Sequence, residues 1–147
     1  CDAYDMTEPS VAGITHALQK ALRNSGVNRG QVDYISAHGT GTVENDEAEC
    51  QAINRVFGKK TLQIPISAIK SMLGHTMGAS SAFGAIACCL AIKDGQIPPT
   101  INYEKDDPQC KIDCVPNNGR KNRAKIVINN SQAFGGNNAC LVFRRMF

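Results

Sequence analysis

Tryptophan is absent from this chain of 147 residues, and aromatic residues make up only 5% of it. With so few flat rings to stack on bases, nucleic-acid binding is not expected. No run of 18 or more apolar residues occurs, and the first residues are neither basic nor apolar, so neither a membrane span nor a signal peptide is predicted. The 42% hydrophobic content is that of a soluble globular domain with its own core. We therefore expect one domain spanning residues 1–147.

The seven cysteines do not form the even, regularly spaced set of a secreted disulfide framework. Free thiols in a reducing compartment fit better, so a cytoplasmic location is expected. Cys110 and Cys114 have no second Cys/His pair nearby, and no metal site is predicted. Cys88 and Cys89 fall within an apolar helical segment, where packing thiols are expected.

Acidic residues are scarce near the C-terminus, where Asp113 is the only one among many bases. The net charge of the chain is nevertheless only +3. Two interpretations stay open: a solvated basic face, or a surface that attracts an acidic partner. The bases are Lys111, Arg120, Lys121, Arg123, Lys125, Arg144 and Arg145.

Apolar spacing predicts alternating helices and strands. A helix is expected from Val11 to a stop at Gly26, and His16 lies off its apolar stripe. Further helices are predicted over 44–57 and 79–92, the last of them apolar nearly all round and so buried. Strands are predicted over 32–36, 63–67, 125–130 and 139–144. This order indicates an α/β layered fold with a mixed β-sheet covered by helices.

Three glycine-bearing loops follow or join these strands, where α/β proteins place their sites. They read Ser36-Ala37-His38-Gly39-Thr40-Gly41-Thr42, then Lys70-Ser71-Met72-Leu73-Gly74-His75, then Asn130-Ser131 followed by Phe134-Gly135-Gly136-Asn137-Asn138. Two loop histidines alone would not define a function. Together, the spellings resemble the motifs E-A-H-G-T-x-T, K-S-x-x-G-H and N-S-F-G-F-G-G of β-ketoacyl synthases, in the same order and at about the same separations.

The resemblance implies a thiolase-like layered fold, of which this chain is the C-terminal half. It also implies a decarboxylative Claisen condensation between an acyl group held on a cysteine and malonyl carried by an acyl carrier protein. Thiolases and initiating synthases replace one of the two histidines, so His38 with His75 favours an elongating synthase. Substrates would travel on the phosphopantetheine of the carrier protein, and no other cofactor is expected.

Site roles also follow from the resemblance. His38 and His75 would stabilise the enolate oxygen formed from malonyl. Lys70 would support them electrostatically, paired with Glu49. The backbone N–H of Phe134 would complete an oxyanion hole while its ring gates the acyl pocket, and Gly135 and Gly136 would let that loop bend. The hydroxyls expected to hold the pantetheine arm are those of Thr40 and Thr42.

The loop before Phe134 departs from the family pattern, with Gln132 where phenylalanine is usual and Ala133 where glycine is usual. Alanine does not readily adopt positive φ, so gating and acyl preference are expected to differ. None of the cysteines occupies the family's nucleophile position, which belongs to the N-terminal half of a chain about twice as long. The expected partners are that half, the carrier protein and a second copy of the intact enzyme.

Two other functions stay open from the sequence. A non-catalytic chain-length subunit would shape the acyl tunnel without reacting, although His38, His75 and Lys70 are all present. A structural or binding domain that pairs with another subunit is the second. The pathway, whether for fatty acids or polyketides, and the acyl chain length are not specified by these residues.

Overall fold

The computed structural model describes residues 5–146. The first helix, α1 (Val11–Ser25), begins where the Ser10 hydroxyl accepts a hydrogen bond from the Gly13 N–H at 3.1 Å. It ends at Gly26, whose left-handed φ of 64° lets its N–H bond back to the last turn. These are the start and stop that the sequence predicts.

The second helix, α2 (Val43–Phe57), carries Glu44 and Asp46 in its first turn, where carboxylates complement the helix dipole. It ends at Gly58 and is followed by a 3₁₀ segment, Gly58–Gln63. The helix buries eight residues, among them Glu49, the one charged side chain of that set.

The main sheet has four strands: β1 (Tyr34–Ser36), β2 (Ile66–Ser67), β5 (Ile126–Ala133) and β6 (Asn137–Arg144). Their spatial order is β2-β1-β5-β6. The two central pairings, β1 with β2 and β1 with β5, are parallel, whereas β5 and β6 form an antiparallel hairpin. The predicted mixed sheet is confirmed, although β1 and β2 are shorter than expected.

The remaining elements connect these strands. They are the short helix α3 (Lys70–Leu73), the helix α4 (Ser80–Asp94) and a two-stranded antiparallel sheet of β3 (Gln96–Ile97) with β4 (Arg120–Lys121). Single 3₁₀ turns lie at Arg29–Gln31, Met77–Ala79 and Phe134–Gly136.

Each face of the main sheet has its own apolar core. Alternate residues such as Ile35 and Ile128 pack under α1 and α2, and their neighbours Tyr34 and Val127 pack under α4. This is the expected period-two division of a sheet covered on both faces. The described chain therefore has three layers: α1 with α2, then the sheet, then α4.

The prediction that α4 is a buried helix is wrong for this chain. Only Gly84, Cys88 and Ala91 are buried, because a single face of α4 packs on the sheet. On the outer face, Phe83, Ile86 and Leu90 are 42%, 54% and 47% exposed. Cys89 is likewise exposed, so of this adjacent pair only Cys88 is a packing thiol as predicted.

The segment Met77–Asp94 is long and apolar enough, by length and composition alone, to cross a membrane. Its mean hydropathy is 1.2 and 17% of it is buried within the structure. A core helix of a soluble protein has the same length and composition, and it is exposed when its packing partner is missing. The exposed face of α4 therefore requires an explanation.

We expect the isolated 147-residue chain to self-associate, because α4 leaves a row of large apolar side chains in water. Ile86→Lys with Leu90→Lys should shift the chain toward monomer. Ala12→Lys, on the exposed face of α1, is the matched control. Sedimentation velocity at several concentrations measures the effect, and a monodisperse wild-type monomer would contradict the expectation.

Candidate active site

Parallel strands bring two of the glycine-bearing loops to one edge of the sheet. β1 ends at Ser36 and β2 at Ser67, and these two residues are register partners. His38 follows the first strand and Lys70 follows the second. Loops after adjacent parallel strands share an edge, so the predicted neighbours meet here.

Gly39 allows these two loops to touch. A Cβ at this position would lie 2.5 Å from the Ala68 Cβ, which is closer than real carbon atoms approach, and its φ is +46°. Because the loops pack this closely, the Lys70 ammonium donates to the His38 carbonyl oxygen and lies 3.3 Å from the His38 Nδ1.

Glu49 holds the other side of the His38 peptide. Its Oε1 accepts from the His38 N–H at 2.8 Å and from the Asn130 Nδ2 at 2.7 Å, and its Oε2 accepts from the Gly39 N–H at 2.9 Å. The side chain is only 3% exposed. A buried carboxylate with three donors is the most constrained group of the site.

The expected direct pair between Lys70 and Glu49 is wrong. Within residues 5–146 the single carboxylate–cation contact below 4.0 Å is Arg120 with Asp113. Lys70 and Glu49 instead bind the carbonyl and the N–H of the same residue, His38. They act on the histidine from two sides without touching each other.

His75 lies beyond Gly74, which ends α3 with a φ of 73°. The His75 Nδ1 accepts a hydrogen bond from the Met77 N–H at 3.1 Å and lies 2.9 Å from the Ser80 hydroxyl. Met77 takes a left-handed φ of 50° in this turn. The ring is fixed by a backbone donor, although the side chain is exposed.

Both histidines therefore carry the same tautomer when neutral. A backbone N–H donates to the Nδ1 of His75, and an ammonium, which only donates, faces the Nδ1 of His38. The ring proton must then be on Nε2 in each case. The two rings meet edge to face, with centroids 5.7 Å apart.

Burial lowers the pKa of His38 to about 4, and the charges of Lys70 and His75 act in the same direction. His38 is thus neutral at pH 7. Burial also lowers the pKa of Lys70, against the opposing charges of Glu49 and Asp46. Burial raises the pKa of Glu49, and the N–H donors of Gly39, His38 and Asn130 oppose that rise.

The lowered pKa of His38 gives a pH-dependent stability. Below its ordinary value of 6.5 the unfolded state binds a proton that the folded state refuses until about pH 4, so the unfolding free energy should fall across that window. In His38→Gln this component should vanish, and His16→Gln should keep the wild-type slope. Urea midpoints of the full-length protein from pH 7 to 4 measure it, and identical slopes in all three proteins would contradict it.

Thr40 and Thr42 lie at the mouth of the first loop. Their hydroxyls are 3.0 Å apart and form an exposed hydrogen bond, and Thr42 precedes the first residue of α2. The proposed hold on a pantetheine arm stays a prediction, and the local contact alone is ordinary turn chemistry.

The third loop is the tip of the β5–β6 hairpin. Phe134 is 64% exposed there, and Gly135 and Gly136 both have φ of 73°, so the predicted glycine bend is present. The Gly135 N–H donates to the Met6 carbonyl at 2.7 Å. Ala133 has a φ of −145°, which is ordinary extended backbone, so this position does not require positive φ.

Gln132 is unusual in a different way. Both its amide atoms are buried and have no hydrogen-bond partner within the described residues. An unpartnered buried amide costs about 1–3 kcal/mol.

We expect Gln132→Phe with Ala133→Gly, which restores the usual family spelling, to alter acyl chain-length preference more than malonyl decarboxylation. The reason is location: the changes lie beside Phe134 on the hairpin, and the histidines lie on other loops. Acyl-transfer rates of the full-length protein across a chain-length series measure the effect. Ser131→Ala, on the neighbouring position of β5, is the control. An unchanged profile in the double variant would remove the gating argument.

Two residues of the site had no predicted role. Asn130 donates to Glu49, and Ser80 lies against His75. Asn130 was visible as part of the third motif, whereas Ser80 had no signal because its role depends on how α4 begins. Within the part of the chain described, no three His, Cys, Asp or Glu side chains lie together as a metal site.

The fold and the paired loop histidines define a class of condensing-enzyme domain. Residues 1–104 match the family described as "Beta-ketoacyl synthase, C-terminal domain", and the chain belongs to this family. The predicted thiolase-like α/β layered fold is confirmed with it.

Related proteins include Nodulation protein E of Rhizobium leguminosarum bv. trifolii, which is 48% identical over 99% of this chain. The 3-oxoacyl-[acyl-carrier-protein] synthase 2 of Coxiella burnetii is 43% identical over 99% of it. Each of these matches spans 36% of the relative. Among solved structures, the ishigamide ketosynthase/chain length factor superposes with a TM-score of 0.96 at 50% identity, over 100% of this chain and 36% of that one. The chain thus spans about a third of the length of these proteins, so the expectation of a family chain only about twice as long is wrong.

Proposed function

We propose that this domain supplies the decarboxylating half of a β-ketoacyl synthase active site, in a protein whose nucleophilic cysteine lies outside these 147 residues. The observation that carries the proposal is the shared tautomer of His38 and His75. Two rings in edge contact, each with its Nε2–H free of the contacts that fix Nδ1, provide two donors for one developing oxyanion.

In the proposed reaction, the bond between the malonyl α-carbon and its carboxylate breaks and carbon dioxide leaves. The electron pair moves onto the thioester as an enolate, whose oxygen accepts from the two Nε2–H groups. The α-carbon then attacks the acyl thioester on the cysteine, and the cysteine thiolate departs. Burial, with the charge of Lys70 acting in the same direction, keeps the pKa of His38 low, so the ring stays neutral and the enolate is not simply protonated by an imidazolium.

The proposed partners are an acyl carrier protein, the cysteine-bearing N-terminal half and a second copy of the intact enzyme. One relative is named 3-oxoacyl-[acyl-carrier-protein] synthase 2, which supports the first. The exposed face of α4 supports the second, because Phe83, Ile86 and Leu90 require cover. We propose a cytoplasmic location for the enzyme, with protein rather than lipid covering the apolar face of this helix.

We also propose that the domain extends over the whole of 1–147. β5 and β6 lie beyond the matched residues 1–104, yet β5 lies beside β1 in the middle of the sheet. Removing residues after 104 would strip β1 of one neighbour, so the later strands belong to the same folding unit.

Co-expression of this chain with a family N-terminal half carrying the cysteine tests the function. The complex should take up a radiolabelled acyl group and release carbon dioxide from malonyl carrier protein, and neither half should do so alone. A well-folded complex that acylates but releases no carbon dioxide would overturn the proposal.

One observation favours a second candidate, a chain-length subunit without chemistry of its own. The ishigamide structure is of a ketosynthase and a chain length factor, and all of the present chain matches it. Such a subunit would not need the tautomer-fixing contacts on both histidines. Decarboxylation by the full-length protein in the absence of any partner subunit separates the two functions.

A further inference from the structure

A cleft of about 580 Å3 lies at the far end of α1 and α2 from the histidines. It is bounded by the last turns of both helices and by the 3₁₀ turn Arg29–Gln31. That turn leads into the start of β1, whereas His38 follows the end of β1. The cleft is therefore separate from the candidate active site.

Three arginines line this cleft: Arg23 from α1, Arg55 from α2 and Arg29 from the turn between α1 and β1. Within residues 5–146, none of them has a carboxylate within 4.0 Å. The surrounding sequence explains why, since residues 9–32 and 50–69 contain no aspartate or glutamate. The positive charge of the cleft is not neutralised by neighbouring side chains.

Helix dipoles provide part of the counter-charge. Arg23 and Arg55 are in the last turns of α1 and α2, where each carbonyl end carries about half a negative charge. Three arginine charges against two such ends leave a net charge of about +2. Dipole capping alone would need only one arginine, so two unit charges remain for a ligand.

The geometry suits a compact anion. One nitrogen of the Arg29 guanidinium donates to the Val56 carbonyl at 3.2 Å, which fixes the position of this side chain. The other N–H groups of the guanidinium take no part in that bond. Leu22, Val27 and Val56 are nearly buried and form an apolar floor. Arginine forks bind phosphate oxygens in pairs, so several donors can meet one phosphate or two linked ones.

The cleft is on the side of the sheet opposite α4. The outer face of α4 is apolar and requires cover, whereas exposed positions of α1 such as Gln19, Lys20 and Arg23 are polar. The rest of the protein is therefore expected on the α4 side, and the cleft stays open to solvent in the full-length protein.

We propose that this cleft binds the phosphate groups of a small diphosphate ligand. The net charge, the three arginines that line the cleft and its volume of about 580 Å3 match a pyrophosphate group with a modest organic substituent. An acidic protein segment is the competing occupant, but the three arginines line one cleft instead of forming a row along the surface. The proposal goes beyond the condensing function and does not depend on it.

Calorimetric titration of the full-length protein at low ionic strength tests the proposal, with inorganic pyrophosphate, ADP and adenosine as probes. Pyrophosphate and ADP should bind with one site per chain and weaken as salt is added, and adenosine should not bind. Arg23→Gln with Arg55→Gln should weaken both phosphate probes about tenfold or more, and it leaves the Arg29 contact with Val56 in place.

The matched control is Lys121→Gln with Arg123→Gln in a second basic cleft, which also contains Asp94 and should not affect binding. Melting curves establish that both variants fold. Undetectable pyrophosphate binding, equal weakening by both double variants, or binding of a polyglutamate peptide in place of pyrophosphate would each overturn the proposal. Malonyl decarboxylation should be unchanged in either variant, so failure here and failure of the condensing function are distinguishable.

Discussion

Replacing His75 with alanine in the full-length protein should remove most malonyl decarboxylation, by about a hundredfold or roughly 3 kcal/mol of transition-state stabilisation. The physical reason is the loss of one of two preorganised N–H donors. His75 is exposed and contacts the turn at Met77 and Ser80, so its removal should leave the fold intact. Carbon dioxide release from malonyl carrier protein measures the effect directly, apart from acyl transfer.

His38→Ala should reduce the same rate, with an added loss of stability because this ring is only 8% exposed. His16→Ala is the matched control, since His16 is on the exposed face of α1 and should leave the rate within error. Equal losses in all three variants, or unchanged decarboxylation in His75→Ala, would contradict the assignment of the oxyanion donors.

Glu49→Ala should be the most destabilising single substitution in the site. It leaves the N–H groups of His38 and Gly39 and the amide of Asn130 without their acceptor in a buried position. Each unsatisfied buried donor costs about 1–3 kcal/mol, so we expect the free energy of unfolding to fall by roughly 3 kcal/mol or more. Malonyl decarboxylation should be lost as well. Urea denaturation of the full-length protein measures the loss.

Two variants make the Glu49 measurement specific. Glu49→Gln retains an acceptor oxygen for His38 and Asn130 but turns a donor toward the Gly39 N–H, so its loss should be intermediate. Glu47→Ala, in the same helix, removes only a contact with Gln51 and should cost a few tenths of a kcal/mol. Equal stability of the Glu47 and Glu49 variants would show that the carboxylate does not organise the loop.

Local chemistry made much of the fold predictable. The limits of α1 follow from Ser10 and Gly26, and those of α2 from its early acids and Gly58, all of which the sequence displays. The β5–β6 hairpin was expected for the same reason. By contrast, the β3–β4 pair was not foreseen, because its two-residue strands are joined by a long irregular segment and have no periodicity.

The sequence motifs predicted the residues of the candidate site, and the packing of the loops corrected the contacts between them. The sequence brought His38, His75 and Lys70 together, but it did not show that Lys70 and Glu49 bind opposite ends of one peptide group. Such contacts depend on loop geometry that spacing does not encode. The exposure of α4 was missed for another reason: composition says that a helix needs cover, and it does not say which chain provides it.

The position of β5 has a consequence for biosynthesis. Asp33 at the start of β1 accepts from the Lys125 N–H, 92 residues further along the chain, and β1 is flanked by β5 on that side. At about 5–20 residues per second, a ribosome needs roughly 5–20 seconds to deliver that neighbour. Throughout that interval β1 presents an unpaired apolar edge to the cell. Nascent chains stalled before residue 126 should therefore be chaperone clients, and completion of the last two strands is the event that releases them.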